Sequence, residues 1–303
     1  MTVENREGVF GALPSDLAAG GEGAIQFSPL IPGAAALEDQ LEASLDAMTM
    51  LAPPGALERR RALALALRAL APGAPLIAMA PKDKGGARLK SELEGFGCAV
   101  EESSKRHHRI CRAGRPAKPE GLDQAIEEGA PRFCDDIGLW SEPGIFSWNR
   151  IDPGSQLLAD ALPALKGEGA DLGCGVGFLA RRILASPKIA TLHLIDIDRR
   201  AIAAARRNID DPRAAISWAD ARESGLKNLD FVVTNPPFHD AGEEDRTLGQ
   251  AFIRQAAAML RKGGALWLVA NRHLPYEGAL KPLFREFAPK IEASGYKIFE
   301  AIK

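Results

Sequence analysis

The tetrapeptide Asn235-Pro236-Pro237-Phe238 directly follows the apolar run Asp230-Phe231-Val232-Val233-Thr234. Two consecutive prolines remove two backbone donors and fix two φ angles, and the first holds Asn235 extended. The carbonyls of such a turn point outward without ladder partners, and an aromatic ring stands beside them. That cluster suits a planar group carrying an NH2, such as a nucleobase. An exocyclic base amine is a poor nucleophile because its lone pair is delocalised into the ring. Accepting both its N–H bonds, at the Asn235 side-chain oxygen and the Pro236 carbonyl, favours a pyramidal nitrogen with an available lone pair. Phe238 would stack on the base, a contact worth about 1–3 kcal/mol; the bland alternative is a core aromatic.

Upstream, Asp171-Leu172-Gly173-Cys174-Gly175-Val176-Gly177 reads as a strand-to-helix turn. Glycines there let backbone approach a ligand at a helix start. The dinucleotide fingerprint requires a glycine where Phe178 stands. The spacing is instead Gly-x-Gly-x-Gly behind Asp171. A carboxylate at that place binds an ammonium and repels a pyrophosphate, which favours S-adenosylmethionine over NAD. By itself the loop is equally readable as a tight β–α turn. Asp196 ends the next strand, where it can accept both ribose hydroxyls, and Asp220 ends the third, where it can accept an adenine amine. Either aspartate alone reads as a surface or capping residue; in sequential register with the two loops they read as one site. Cofactor contacts are therefore expected from Asp171, Gly173, Gly175, Gly177, Asp196, Asp220 and Asn235, and catalysis from Asn235, Pro236 and Phe238. Asp198 reads as a helix N-cap.

Elements that place these residues follow from periodicity. Residues 167 onward alternate strand and helix: helices at Arg199–Asn208 and Thr247–Arg261, strands at Ala215–Trp218, Asp230–Thr234 and Ala265–Ala270. A helix over Tyr276–Phe287 and strands at Lys290–Ala293 and Lys297–Ile302 close the chain, which implies a mixed sheet with an antiparallel edge. Residues 133–151 read as a hairpin turning at Glu142-Pro143-Gly144, and a helix runs from Gly154-Ser155 to Leu162. The first half holds a shorter α/β passage. It has strands at Ile25–Phe27, Asp46–Leu51 and Leu76–Ala80, helices at Gly55–Leu70 and Ala87–Phe96, and a strand pair near Ala99–Glu101 and His108–Arg112. Strand, helix, Pro72-Gly73, strand repeats the order around Asp230 and Gly263-Gly264. The first copy lacks both the Gly-x-Gly loop and Asn-Pro-Pro-Phe, so it reads as a duplicated fold with an emptied site. Gly, Pro and basic residues at 114–118 suggest the boundary, giving domains 1–118 and 119–303; beyond the strand at Ile25–Phe27, residues 1–45 match no pattern.

Bulk numbers set limits. The chain has 303 residues, 46% hydrophobic and 26% charged, with net charge −2, so any nucleic-acid surface must be local. Cys98, Cys111, Cys134 and Cys174 form no Cys-x-x-Cys pair, which argues against zinc and against a disulfide framework and fits a reducing cytoplasm; no metal is expected. Glu4 and Glu7 precede any apolar run, so no signal peptide is expected. Arg68, Pro72 and Pro75 interrupt the longest greasy stretch, so no membrane span is expected either.

Together, Asp171–Gly177, Asp196, Asp220 and Asn235–Phe238 resemble class I S-adenosylmethionine-dependent methyltransferases acting on exocyclic amines. Pro143-Gly144-Ile145-Phe146-Ser147, Asp152-Pro153-Gly154-Ser155-Gln156-Leu157-Leu158, Asn235–Asp240 and Asn271-Arg272-His273-Leu274-Pro275-Tyr276 narrow this. They resemble the ribosomal RNA small-subunit methyltransferase C family. The resemblance covers residues 45–303. It implies a Rossmann-like α/β fold with a mixed seven-stranded sheet, preceded by a smaller degenerate copy. It further implies methylation of guanine N2 in ribosomal RNA, naked or as the small subunit, by a monomer in the cytoplasm. His239 and Asp240 would contact guanine or shape their loop.

RNA would be held by a basic stripe, Lys105, Arg106, Arg109, Arg112, Arg115 and Lys118, in a segment without acids. A solvated edge strand blunted by charge is the other reading. Arg59-Arg60-Arg61 and Arg199-Arg200 are weaker candidates. The target base must be unstacked to reach Phe238. Two further substrates remain open: guanine N2 in large-subunit RNA, and a protein glutamine amide of the release-factor kind, since Asn-Pro-Pro-aromatic turns serve amides too. A non-enzymatic RNA-binding scaffold would have no cofactor site.

Overall fold

The computed structural model describes residues 6–18, 20–237, 239–240, 243–244 and 246–303. The chain forms two compact units, Met1–Pro131 and Arg132–Lys303.

In the first unit the elements run β1 (Glu7–Phe10), β2 (Ile25–Phe27), β3 (Ala47–Leu51), α1 (Ala56–Ala69), β4 (Pro75–Pro81), α2 (Ala87–Gly95), β5 (Val100–Lys105), β6 (His108–Gly114) and α3 (Leu122–Glu128). Its six-stranded sheet has the order β2-β1-β3-β4-β6-β5. The helix α1 buries Leu63 and Leu67, and Leu70 just past its end, in one apolar cluster with Met48, Met50 and Leu76. A domain boundary at 118 would separate α3 from this unit. Instead α3 packs on α1, because Leu122 and Ala125 complete the apolar cluster of the same core. The strand β1 escapes the sequence pattern, being only 4 residues long among glycines and alanines.

The second unit continues with β7 (Arg132–Cys134), β8 (Leu139–Ser141), α4 (Pro153–Ala161), β9 (Gly167–Leu172), α5 (Phe178–Leu184), β10 (Ile189–Asp196), α6 (Arg199–Asn208), β11 (Ala214–Trp218) and β12 (Leu229–Thr234). It ends with β13 (His239–Asp240), β14 (Glu243–Glu244), α7 (Arg246–Met259), β15 (Leu260–Asn271), α8 (Glu277–Leu280), β16 (Glu286–Ala293) and β17 (Tyr296–Ile302). Seven strands join in the order β11-β10-β9-β12-β15-β17-β16. The first five are parallel and β17 and β16 are antiparallel, as the closing strand pair required. Separate apolar clusters cover the two faces of this sheet, the condition under which parallel strands read as continuous apolar runs.

Two local expectations need correction. The hairpin turns at residues 135–138, between β7 and β8; Glu142-Pro143-Gly144 lies beyond it in the irregular stretch before α4. A single helix does not span 276–287 either. The helix α8 covers Glu277–Leu280, and Glu286 and Phe287 already belong to β16, where Phe287 pairs with Ala301. Phe284 and Leu280 are apolar anchors for either geometry, and pairing with β17 decides the later residues.

Candidate active site

The strands β9 and β12 are neighbours and finish level, Leu172 opposite Thr234. The Thr234 hydroxyl donates to the Leu172 carbonyl at 2.7 Å, wholly buried. The glycine loop and the Asn-Pro-Pro turn therefore emerge side by side at the carboxyl end of the sheet, where open α/β folds hold their ligands. A side-chain carbon on Gly173 would lie 3.9 Å from the Asn235 carbonyl oxygen. Gly173, Gly175 and Gly177 have φ of 72°, 53° and 87°, a region only glycine enters freely. Around Gly175 an added carbon would meet nothing within 4 Å, so that backbone is open to a ligand.

Carboxylates surround this loop. Asp171 is fully buried, and neither of its oxygens has a hydrogen-bond partner among the described residues. Burial, reinforced by the neighbouring Asp196 charge, pushes its carboxyl up to about 8. An orphaned buried carboxyl of this kind is the counterpart of a cation. Asp196 accepts from Gly175 N and Asp198 N, each at 2.8 Å, and so pins the loop. Burial raises it to about 6, against these backbone hydrogen bonds. Asp198 caps α6, accepting from Arg200 N at 2.9 Å. Asp220 caps the short turn Ala221–Glu223, and its two oxygens already pair with Arg222 Nε at 2.9 and 3.0 Å. That hydrogen bond holds its carboxyl below the ordinary range. Its function as a cap is visible; an adenine contact would have to share it with Arg222.

Asn235 is the most constrained member. Its Nδ2 donates to Asp152 Oδ2 at 3.0 Å and to Ser155 Oγ at 2.8 Å. Two acceptors on the nitrogen side fix the amide and leave Oδ1, which is buried and unpaired among the described atoms, as its available acceptor. Asp152 is itself held as the N-cap of α4: it accepts from Ser155 N at 2.8 Å, with Pro153 at the first helical position. Sequence reasoning used Asp152 and Ser155 only as marks of resemblance. The Asp-Pro helix start was the available signal; their contact with a residue some eighty positions on was not. Pro236 is buried. Phe238 lies outside the described residues, as does the His239 side chain, whose backbone is in β13.

The basic stripe does not assemble on one face. Arg109 and Arg112 are three apart on β6, and alternation sends them to opposite sides. Acids also meet the stripe: Arg106 pairs with Asp16, and Arg109 with Glu102 at 2.6 Å. Lys105 Nζ donates to the Asp16 carbonyl at 3.2 Å, and Arg112 to Ser103 Oγ at 3.2 Å. Arg115 is buried and pairs with Glu42.

Comparison with known proteins agrees with this geometry. The family described as "Methyltransferase small domain" matches residues 136–300, the span that holds the glycine loop, the aspartates and Asn235 but not the basic stripe. A "Ribosomal RNA small subunit methyltransferase C" from Pseudomonas paraeruginosa is 30% identical over 245 residues, covering 79% of this chain and 74% of its own. The chain belongs to the ribosomal RNA small subunit methyltransferase C family. The family member from Shewanella loihica is 28% identical over 84% of this chain and 77% of its own. Another, from Alteromonas mediterranea, is 34% identical over 73% and 63%. The fold has a solved counterpart in the T. thermophilus 16S rRNA N2 G1207 methyltransferase, determined in complex with AdoMet and guanosine. Its TM-score is 0.79 at 23% identity, over 98% of this chain and 88% of that one. Along the chain a six-stranded sheet in the first unit is followed by a seven-stranded sheet in the second.

Proposed function

We propose that this chain methylates the exocyclic N2 amine of a guanine in small-subunit (16S) ribosomal RNA, with S-adenosylmethionine as donor. The observation that carries the reading is the Asn235 amide, oriented by Asp152 and Ser155 so that Oδ1 is the free acceptor. It stands beside a glycine loop backed by a buried, unpaired carboxyl. The relatives named as small-subunit ribosomal RNA methyltransferases support the choice of RNA, and the T. thermophilus N2 G1207 methyltransferase, held with AdoMet and guanosine, supports that of donor and base.

The residues fit the cofactor. Asp171 suits its ammonium, the open backbone at Gly175 its amino-acid portion, and Asp196 its ribose hydroxyls. Ile197, exposed beside Asp196, offers an apolar face to its adenine. When bound, S-adenosylmethionine supplies an electrophilic methyl group on a sulfonium.

Asn235 Oδ1 and the Pro236 carbonyl accept the two N–H bonds of the guanine amine, localise its lone pair and aim it. Orientation of this kind supplies about 7–11 kcal/mol of a barrier. Neither acceptor is a base; the methylated ammonium formed as the thioether leaves is acidic and sheds its proton to water. Phe238, following the turn, is proposed as the stacking surface for the base. One copy of the chain contains the whole constellation, so the reading requires only a monomer, acting on RNA in the cytoplasm. No helix among the described residues is long and apolar enough to cross a membrane.

Incubation with labelled donor, small subunits, large subunits and release factors tests the substrate. Label at guanine N2 of small-subunit RNA is expected; label confined to protein or to large-subunit RNA would refute the assignment.

A further inference from the structure

The first unit repeats the topology of the second, β2-β1-β3-β4-β6-β5 against β10-β9-β12-β15-β17-β16. Hydrogen bonds set the correspondence residue by residue. Gly11 N donates to the Phe27 carbonyl at 2.8 Å, as Gly173 N does to Ile195. Both glycines have positive φ, 77° and 72°. Phe10 pairs with Met50 as Leu172 pairs with Thr234. Val9, Ser28 and Leu51 therefore hold the positions of Asp171, Asp196 and Asn235. Two carboxylates and the amide are thus replaced by valine, serine and leucine.

The proline pair is not gone. The strand β3 runs into Pro53-Pro54 as β12 runs into Pro236-Pro237, one residue later by that register. The carbonyls of Pro53 and Pro54 are occupied. Arg59 Nη1 donates to the Pro54 oxygen at 2.7 Å and to the Pro53 oxygen at 3.3 Å. The other side of the guanidinium meets Glu92 in a fork, Nε to Oε2 and Nη2 to Oε1, each at 2.7 Å. Arg59 is 2% exposed. Gly85, at φ 97°, closes over the plane, and a side chain there would collide with the guanidinium.

We propose that the turn beyond β3, one residue past the place that the amine-accepting turn holds in the other copy, is a guanidinium-specific pocket with Arg59 as its internal ligand. The pocket takes a planar group with adjacent N–H donors: a carboxylate accepts one edge and two proline carbonyls the remaining nitrogen. The N1–C2–N2 edge of a guanine presents the same fork, so the arginine imitates the substrate that the other copy admits. The comparison rests on the amine-accepting reading of Asn235 and Pro236. The pocket itself rests on the Arg59 contacts alone.

Removing the ligand should create a binding site. In the full chain, Arg59→Ala leaves Glu92 and both carbonyls unpaired and lowers the melting midpoint. Millimolar methylguanidinium should raise that midpoint, increasing the folding constant about tenfold at ten times its dissociation constant. Methylammonium at equal ionic strength should not, because a point charge cannot bridge a fork. Wild type should respond to neither. An equal response to both cations, no response, or the same response in wild type would overturn the proposal. Should the variant not fold unaided, refolding from urea gives the same comparison: recovery only with methylguanidinium is expected, and equal recovery with either cation, or none, overturns it. Methyl transfer is not read in this test, so its failure leaves the proposed function standing.

Discussion

At the scale of single residues, the site depends on which atom of the Asn235 amide is left as an acceptor. Asn235→Ala removes that acceptor without touching the glycine loop. Cofactor affinity should persist while kcat falls, by about 10²–10³-fold if the acceptor acts like other preorganised transition-state contacts. Calorimetry with cofactor beside single-turnover rates would check this. Ser155→Ala deletes one of the two acceptors that orient the amide. It should lower kcat more than it raises KM, with a smaller loss than Asn235→Ala. Asp171 makes a prediction in pH. Its carboxyl is raised to about 8 in the folded chain from an ordinary value of 3.8. The folded state therefore binds this proton more tightly than the unfolded state. The stability from that group is complete below about pH 4 and is lost as pH rises through about 8. Melting curves without cofactor should show this decline, and Asp171→Asn should flatten it. Cofactor affinity should move the opposite way, rising towards pH 8, since only the ionised form attracts an ammonium.

At the scale of elements, the convergence of the loops depends on how closely β9 and β12 lie. Gly169 on β9 sits opposite Phe231 on β12, and a side-chain carbon at 169 would run into the Phe231 ring. Phe231 is 2% exposed and has no room to turn away. Gly169→Val should therefore destabilise the chain by about 1–3 kcal/mol, in the range of overpacked cores, which a urea titration would measure. Most elements were legible because their apolar residues repeat at 3.6 or 2: α6 falls on Arg199–Asn208 as read. The failures share a cause. The strand β1 and the segment 276–287 carry too little periodic signal, and their state is set by partners distant in sequence. The turn of the β7–β8 hairpin was misplaced because Pro143-Gly144 is a stronger local signal than the residues 135–138 that make it.

At the scale of the whole molecule, charge pattern decides how RNA is met. With net charge −2, attraction to phosphate must come from cations that are not already paired. Arg106 and Arg109 face Asp16 and Glu102. Replacing both by glutamine should change the slope of log affinity against log salt by less than about one, the value of a single phosphate contact. A filter-binding series in salt would show it, and a larger change would restore the stripe as an RNA surface.

By itself the sequence determined the fold class and pointed to the donor and to the Asn-Pro-Pro turn, since glycine, proline and aspartate constrain backbone and charge locally. Tertiary structure alone decided the direction of the Asn235 amide, the pairing that breaks up the basic stripe, and the filling of the N-terminal pocket by Arg59. Each depends on a side chain meeting a partner from another element. Asp152 reaches Asn235, Glu102 reaches Arg109, and Glu92 reaches Arg59 only once the chain has folded. Spacing along the chain carries no record of such meetings.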